Sequence, residues 1–387
     1  MEFLPSLIPA TPFGIADYYL TSSNVTEADY SAYASGTTYA DGDRVIIVSP
    51  SATVTMTIAS PGVVTWTAHG LPDDTPVRFT TTGALPTGIT AGRVYFTRDG
   101  TASVNAFKLC LTPGGAAINT SGSQSGTHTG LATRHDVYES LVGSNTGNAP
   151  AISPNHWIRV DSTNRWRMHD NSMGSQTANS NSITNVYEAK QIIDAIALMN
   201  ISSATIRVTV TDAVDGVVFD ETVSGIAPIS ESSFYAWAFE PIVRVTDMLI
   251  SGLPPYLDAD IGLTMTDTGG TVLCGNCVMG KLRDFGGTQY GMGMRIDDYS
   301  IKSKSAFGIY TVTPGAYSRR LDAMVYVDAG AVDAVFNLLA AYRSIPAVFV
   351  GSSLYGASIV FGFVTSFNPA VQHVTQSLMR IKVEGLI

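Results

Sequence analysis

The chain has 387 residues, enough for two or three domains, and its 45% hydrophobic content supports packed cores rather than disorder. Only 14% of residues are charged and the formal charge is −10, which argues against a basic surface wrapped by a nucleic-acid backbone. No stretch approaches the eighteen or so consecutive apolar residues of a membrane helix, and the first residues lack the basic and apolar regions of a secretory signal.

Three cysteines, Cys110, Cys274 and Cys277, do not make a disulfide framework, so the expectation is a reducing cytoplasm and no reliance on bridges. Abundant Thr, Ser, Gly and Val favours β-structure and tight turns. Few charges together with a positive mean hydropathy imply that much surface is covered in an assembly.

In chain order, residues 1–32 carry Pro5, Pro9 and Pro12, which forbid a regular helix and suit an extended N-terminal arm. Such an arm either packs on a neighbour or frays. Residues 33–50 give a turn at Ala40-Asp41-Gly42 and the apolar strand Val45-Ile46-Ile47-Val48. From 51 to 132 the composition changes. Short strands around Thr65-Trp66, Val77-Arg78-Phe79, Val94-Tyr95-Phe96 and Ala106–Leu109 alternate with Gly and Pro turns, which predicts an inserted all-β module. Residues 133–170 resume the first module, so 33–50 and 133–170 form one discontinuous unit.

Polar residues 171–185 read as a loop or linker. Period-two patterning over 192–280 is a sandwich signature, and 185–387 is read as a β-sandwich assembly region that divides at 185–285 and 286–387. Its expected strands include Ile206–Thr211, Val217–Asp220, Phe234–Phe239, Val243–Thr246, Ile261–Met265 and Val272–Cys274. One helix is expected from Ala331 to Arg343, with Val332, Val335, Phe336 and Leu339 on one face and Pro346 as its stop.

Catalytic patterns are absent from the sequence: no His-Glu-x-x-His, no phosphate-binding loop and no Gly-x-Ser-x-Gly elbow. The histidines at 69, 128, 135, 156, 169 and 373 are scattered, without a metal-binding pair. No catalytic residue, cofactor or metal is assigned. Cys274-Gly-Asn-Cys277 matches a metal or redox motif in text only. On a strand its thiols diverge, unless Gly275-Asn276 turns, and buried inert thiols are the favoured reading. Asp297-Asp298 reads as a turn or cap rather than a carboxylate pair. Asp258 and Asp260 form only a short acidic loop, a poor calcium ligand set.

The binding candidates are Tyr39, Tyr138, Trp157 and Trp166, because the CH faces of a sugar ring stack on flat aromatic surfaces. In so small a module at least half of its aromatics must fill the core. The expectation is Trp157 as a core anchor and Tyr138 as a partly exposed platform.

Tyr39-x-x-Gly42-Asp43-x-Val45, Val137-Tyr138-Glu139-Ser140, Gly147-x-x-Pro150 and Trp157 together resemble the small chitin-binding-type carbohydrate-binding module, in the version carried by tailed-phage structural proteins. Thr163-Asn164-Arg165-Trp166-Arg167-Met168-His169-Asp170 is similar to the continuation of that module, with Arg167 and His169 departing from its usual small and aromatic residues. His69-Gly-Leu-Pro72, Thr80–Gly92, Thr112–Ile118 and Ser125-Gly-Thr-His128 resemble a β-module that recurs in phage tail and fibre proteins. Ile296–Ser300, Phe307-Gly308, Tyr317–Arg320, the segment before Pro346–Phe349 and the terminal Ile381–Leu386 are similar to the same tail proteins.

The resemblance implies a mainly β fold: β-sandwich domains, a small carbohydrate-binding-like β-module with an inserted β-domain, and one C-terminal helix. It also implies a non-enzymatic virion component of the tail tip or baseplate, assembled in the host cytoplasm with copies of itself and other tail proteins. No nucleic-acid or membrane partner is expected. A receptor-binding protein for a host surface glycan is the alternative. A glycan depolymerase is less favoured, because no long repeat of the β-helix kind is visible.

Overall fold

A computed structural model describes residues 1–5, 19–188, 190–227, 234, 239, 243–304, 306–352, 354–370 and 375–386. The protein is mainly β, with several antiparallel sheets, a six-stranded barrel and one C-terminal helix. Its described residues divide into two compact units, one built from 26–166 and the other from 1–5, 19–25 and 167–386.

In the unit 26–166, the apolar strand Arg44–Val48 lies antiparallel to His135–Ser140, with Val45 opposite Tyr138 and Val48 opposite His135. Trp157–Ser162 pairs with the other edge of His135–Ser140. At the end of this ladder the Ser49 N–H donates to the Arg134 carbonyl at 2.7 Å, and the next strands, Ser51–Met56 and His128–Ala132, pair with each other. The chain therefore leaves the three-stranded sheet and re-enters it at neighbouring positions. Between those points six strands close into a barrel, which removes the open edges that would invite pairing with other chains. Phe79, Tyr95, Phe107 and Leu71 fill its interior. Gly130 is required there, because a Cβ would come within 2.7 Å of the Trp66 ring.

The other unit holds two large sheets. One is seven-stranded, in the order Arg283–Asp284, Glu2–Pro5, Ala347–Val350, Ile359–Ala370, Gln376–Gly385, Tyr317–Asp328, Gly293–Asp298. The second is centred on Asp260–Gly280, which pairs with Thr177–Glu188 along one edge. On its other edge it pairs first with Thr205–Asp212 and then with Ala195–Ser202. Phe3, Val325, Leu339, Phe349 and Ile381 share one buried cluster on the helix side of the first sheet. Leu4, Val348 and Phe361 meet Ala197, Met199 and Val278 of the second sheet in another. Ala347-Val348-Phe349-Val350 is thus buried on both faces, and an uninterrupted apolar run is what such a strand requires.

Residues 2–5, expected in an extended arm, form a strand between Arg283–Asp284 and Ala347–Val350. The polar stretch 171–185, expected as a linker, is corrected. Thr177–Glu188 is a strand along the central one, with Thr177, Ile183, Asn185 and Tyr187 buried. Its polar side chains satisfy one another: Asn185 donates to the Tyr187 hydroxyl at 2.8 Å, and that hydroxyl lies 3.0 Å from His169 Nε2. Such pairing lowers the cost that makes Asn a poor strand residue, although the buried Asn185 Oδ1 accepts no hydrogen bond among the described residues. The Phe234–Phe239 strand falls largely outside the described residues, and the two positions that are described, Phe234 and Phe239, are helical. Val243–Thr246, expected as a strand, contributes only an isolated bridge at Arg244, and the strand itself is Asp247–Ser251.

The helix runs Val332–Ala341, short of Pro346, with Val335 and Leu339 buried. Phe336 remains 46% exposed and meets Phe367 edge-on at 5.0 Å. Phe349→Ala should therefore cost about 3–5 kcal/mol in chemical denaturation, and Phe336→Ala roughly 1 kcal/mol, because only the first leaves a sealed cavity.

Candidate functional site

The aromatic candidates sit around the strand His135–Ser140. Tyr39 and Trp157 meet edge-to-face at 5.1 Å, and Tyr33 stacks beside Tyr39 at 5.9 Å. Their polar ends turn to the backbone: the Tyr39 hydroxyl accepts from the Ala34 N–H at 2.8 Å, and Trp157 Nε1 donates to the Asn148 carbonyl at 2.9 Å. Val45 and Tyr138 complete this cluster. The structure thus brings Tyr39, Tyr138 and Trp157 together and places Trp166 elsewhere, stacked on the His135 imidazole with ring centroids 4.1 Å apart.

Exposure decides what these rings can do. Tyr39 is 8% exposed, Tyr138 6%, and Trp157 and Trp166 each 2%. Trp157 is a core anchor, as expected. Tyr138 is not a partly exposed platform, and that expectation is corrected. Its ring lies under the Arg134 guanidinium, with the carbon centre 5.9 Å from the ring centroid, and its hydroxyl accepts a hydrogen bond from Arg134. Burial pushes the Tyr138 phenol above its ordinary pKa, the neighbouring Arg134 charge opposing it.

Alternation along the strand explains the company Tyr138 keeps. Arg134, Asp136 and Tyr138 are two apart and share a face. Arg134 Nε donates to Asp136 Oδ2 at 2.7 Å with both side chains fully buried, and Arg159 Nε donates to Asp136 Oδ1 at 2.6 Å. An isolated charge here would be costly, and pairing makes its burial tolerable. His135, on the opposite face, has its Nδ1 2.7 Å from Glu27 Oε1, which also accepts from Thr163 Oγ1 at 2.6 Å. Arg165 reaches the other Glu27 oxygen at 3.3 Å. Burial alone would raise the Glu27 pKa, but the hydrogen bonds from His135 and Thr163 and the Arg165 charge outweigh it and hold the carboxylate below its usual range.

The sequence reading missed Glu27, Arg134, Asp136 and Arg159. The i, i+2, i+4 spacing of Arg134, Asp136 and Tyr138 was a usable signal, whereas Glu27 stands 108 residues from His135. The Arg167-Met168-His169 strip, where the resemblance departs from its pattern, ties to Thr177–Glu188. The Met168 N–H donates to Thr177 Oγ1 at 2.9 Å, and His169 meets Tyr187.

The other sequence candidates resolve into local structure. Cys274 and Cys277 lie in the continuous strand Asp260–Gly280, so Gly275-Asn276 makes no turn, and both thiols are free and buried. Burial pushes Cys274 up to about 12 and Cys277 up as well, which disfavours thiolate chemistry. Asp298 acts as a turn cap: it accepts from the Lys302 ammonium at 2.7 Å and the Ser300 N–H at 2.9 Å, which hold its pKa well down. Among the described residues no three His, Cys, Asp or Glu side chains stand close enough to hold a metal ion. What the fold defines is a mainly β protein whose aromatic candidates are buried. Compared with models of protein families, with curated proteins and with solved structures, the chain matches none.

Two outcomes follow for this unit. Trp157→Ala should destabilise it by about 3–5 kcal/mol, read by thermal or chemical unfolding, because a buried ring and its hydrogen bond are lost together. The stability that Glu27 contributes is present above its ordinary pKa of about 4.5 and is lost as the pH falls through its lowered folded-state value. Glu27→Gln should accordingly flatten the acid limb of the stability–pH curve; an unchanged acid limb would contradict this assignment.

Proposed function

We propose that this chain is a non-enzymatic structural component of a bacteriophage tail, at the tail tip or baseplate, that assembles symmetrically with copies of itself. It carries a carbohydrate-binding-like module, residues 33–50 and 133–170, with the barrel of residues 51–132 inserted in it. Residues 185–387 form the β-sandwich region that makes the assembly contacts. The order of the tail-protein motifs along the chain supports the class.

One observation carries the assembly role. Tyr290 is fully exposed, Phe307 92% and Leu354 82%, and Ile296, Ile301 and Tyr355 are each more than half exposed. Soluble monomers rarely expose contiguous apolar patches beyond a few hundred Å², so apolar side chains concentrated over residues 290–317 and 354–355 fit a surface covered by other subunits.

Burial of the four aromatic candidates favours the module as a spacer over a glycan receptor, since a ring 2–8% exposed has no face to stack on a sugar. Light scattering on the purified chain should give a mass several times the 40.9 kDa of one copy, and mass spectrometry should find the chain in virions. A monomer at every concentration, absent from virions, would overturn the proposal.

A further inference from the structure

Two of the places that expose apolar residues complement each other, and this inference rests on the assembly role above. The first is a ribbon. Gly293–Asp298 is the edge strand of the seven-stranded sheet and pairs with Tyr317–Asp328. Beyond Asp298 the same two strands continue off the sheet as the hairpin Ile301–Lys304 and Tyr310–Thr313. Every residue of both hairpin strands is exposed. A two-stranded hairpin is marginal alone in water. Here its base is tied: the Tyr299 N–H donates to the Ala316 carbonyl at 3.0 Å, and the Gly315 N–H to Ser300 Oγ at 3.0 Å. A Cβ at Gly315 would lie 2.6 Å from the Tyr299 carbonyl oxygen, so the two arms need glycine to come this close. The tip is presented in a set direction and carries Ile301, Phe307, Tyr310 and Val312, each more than half exposed. The Phe307 and Tyr310 rings alone offer roughly 300 Å² of apolar surface. The charged side chains on Ile301–Thr313 are Lys302 and Lys304.

The second place is a groove of about 770 Å³ lined by Glu2, Asp284 and Val350 from one end of the sheet order, by the segment 286–292, and by Met294 of the edge strand. Its apolar lining includes Tyr290, Met292, Val350, Leu354 and Tyr355; of its charged groups, the Asp284 carboxylate lies 3.8 Å from the Met1 ammonium, and Glu2 is the second carboxylate. Tip and groove therefore match in apolar character, and Lys304 on the tip is opposite in sign to Glu2 in the groove. A copy cannot fill its own groove. Met294 lines the groove near the start of the edge strand, and the hairpin begins about 17 Å further on, at five residues of ~3.4 Å each, and points away. Reaching back would break the Gly293–Asp298 ladder.

We infer that the hairpin 299–317 of one copy docks in the groove lined by Glu2, Asp284, Tyr290, Leu354 and Tyr355 of a second copy. Two different patches meet, each used once per copy, so the contact is head-to-tail and propagates until it closes into a ring. Burying the apolar tip drives the contact, and the Lys304 ammonium opposite Glu2 sets its direction.

Cysteine crosslinking of the full chain tests this. Cys110, Cys274 and Cys277 are buried and should stay silent. With Phe307→Cys and Leu354→Cys together, mild oxidation should give a ladder of covalent oligomers beyond the dimer; neither single variant should. A hairpin-shortened chain, with Ile301–Thr313 replaced by an Asn-Gly turn, should sediment as a monomer. Lys304→Glu should weaken association about tenfold, and adding Glu2→Lys should restore it. If the chain is oligomeric while the shortened form keeps the same mass and the double variant fails to link, this contact is wrong and the assembly role stands. Dimers formed by Phe307→Cys alone would likewise overturn it. A wild-type chain that is monomeric throughout would overturn both.

Discussion

The pairing of Glu2–Pro5 with Ala347–Val350, buried on both faces, is the constraint on which the larger unit depends. Phe3 and Phe349 point to the helix side, while Leu4, Val348 and Val350 point to the second sheet. One strand pair thus joins three layers, and no polar residue can replace any of its inward positions without an unsatisfied group. The same pair builds the edge of the groove, since Glu2 and Val350 line it. The segment that completes the core also shapes the surface proposed to receive a second copy.

Sheet edges organise the rest. In the smaller unit the barrel closes on itself and leaves no edge, and its insertion between Val48 and His135 costs the parent ladder little because both ends return to one place. The larger unit keeps an open edge at Gly293–Asp298 and prolongs it into an exposed ribbon. An open edge is a hazard for a monomer, and Arg295, Asp297 and Asp298 place charges on this one. Closure in one unit and an extended edge in the other suit a spacer and an assembly element respectively.

Much of the fold was legible in the sequence because hydrophobic period follows secondary structure. The strands around Val77–Phe79, Ala106–Leu109 and Ile206–Thr211 all form, and the helix ends before Pro346. The Thr/Ser/Asn run at 177–188 was not legible, because its buried polar side chains are paid for by partners such as His169 that patterning does not reveal. The aromatic site failed for a related reason. Tyr39, Tyr138 and Trp157 were found, and they do converge, but whether a ring fills a core or faces solvent depends on what covers it. Glu27, which holds His135 on this strand from 108 residues away, has no local signature at all, whereas Arg134 shares the two-residue spacing of Asp136 and Tyr138.

The most direct measurement is amide hydrogen exchange on the full chain, followed below and above its association concentration. Residues 299–317 and 284–294 should gain protection together on association, while the barrel of residues 51–132 should not change. Association that leaves the hairpin exchanging at its dilute rate would contradict the head-to-tail contact.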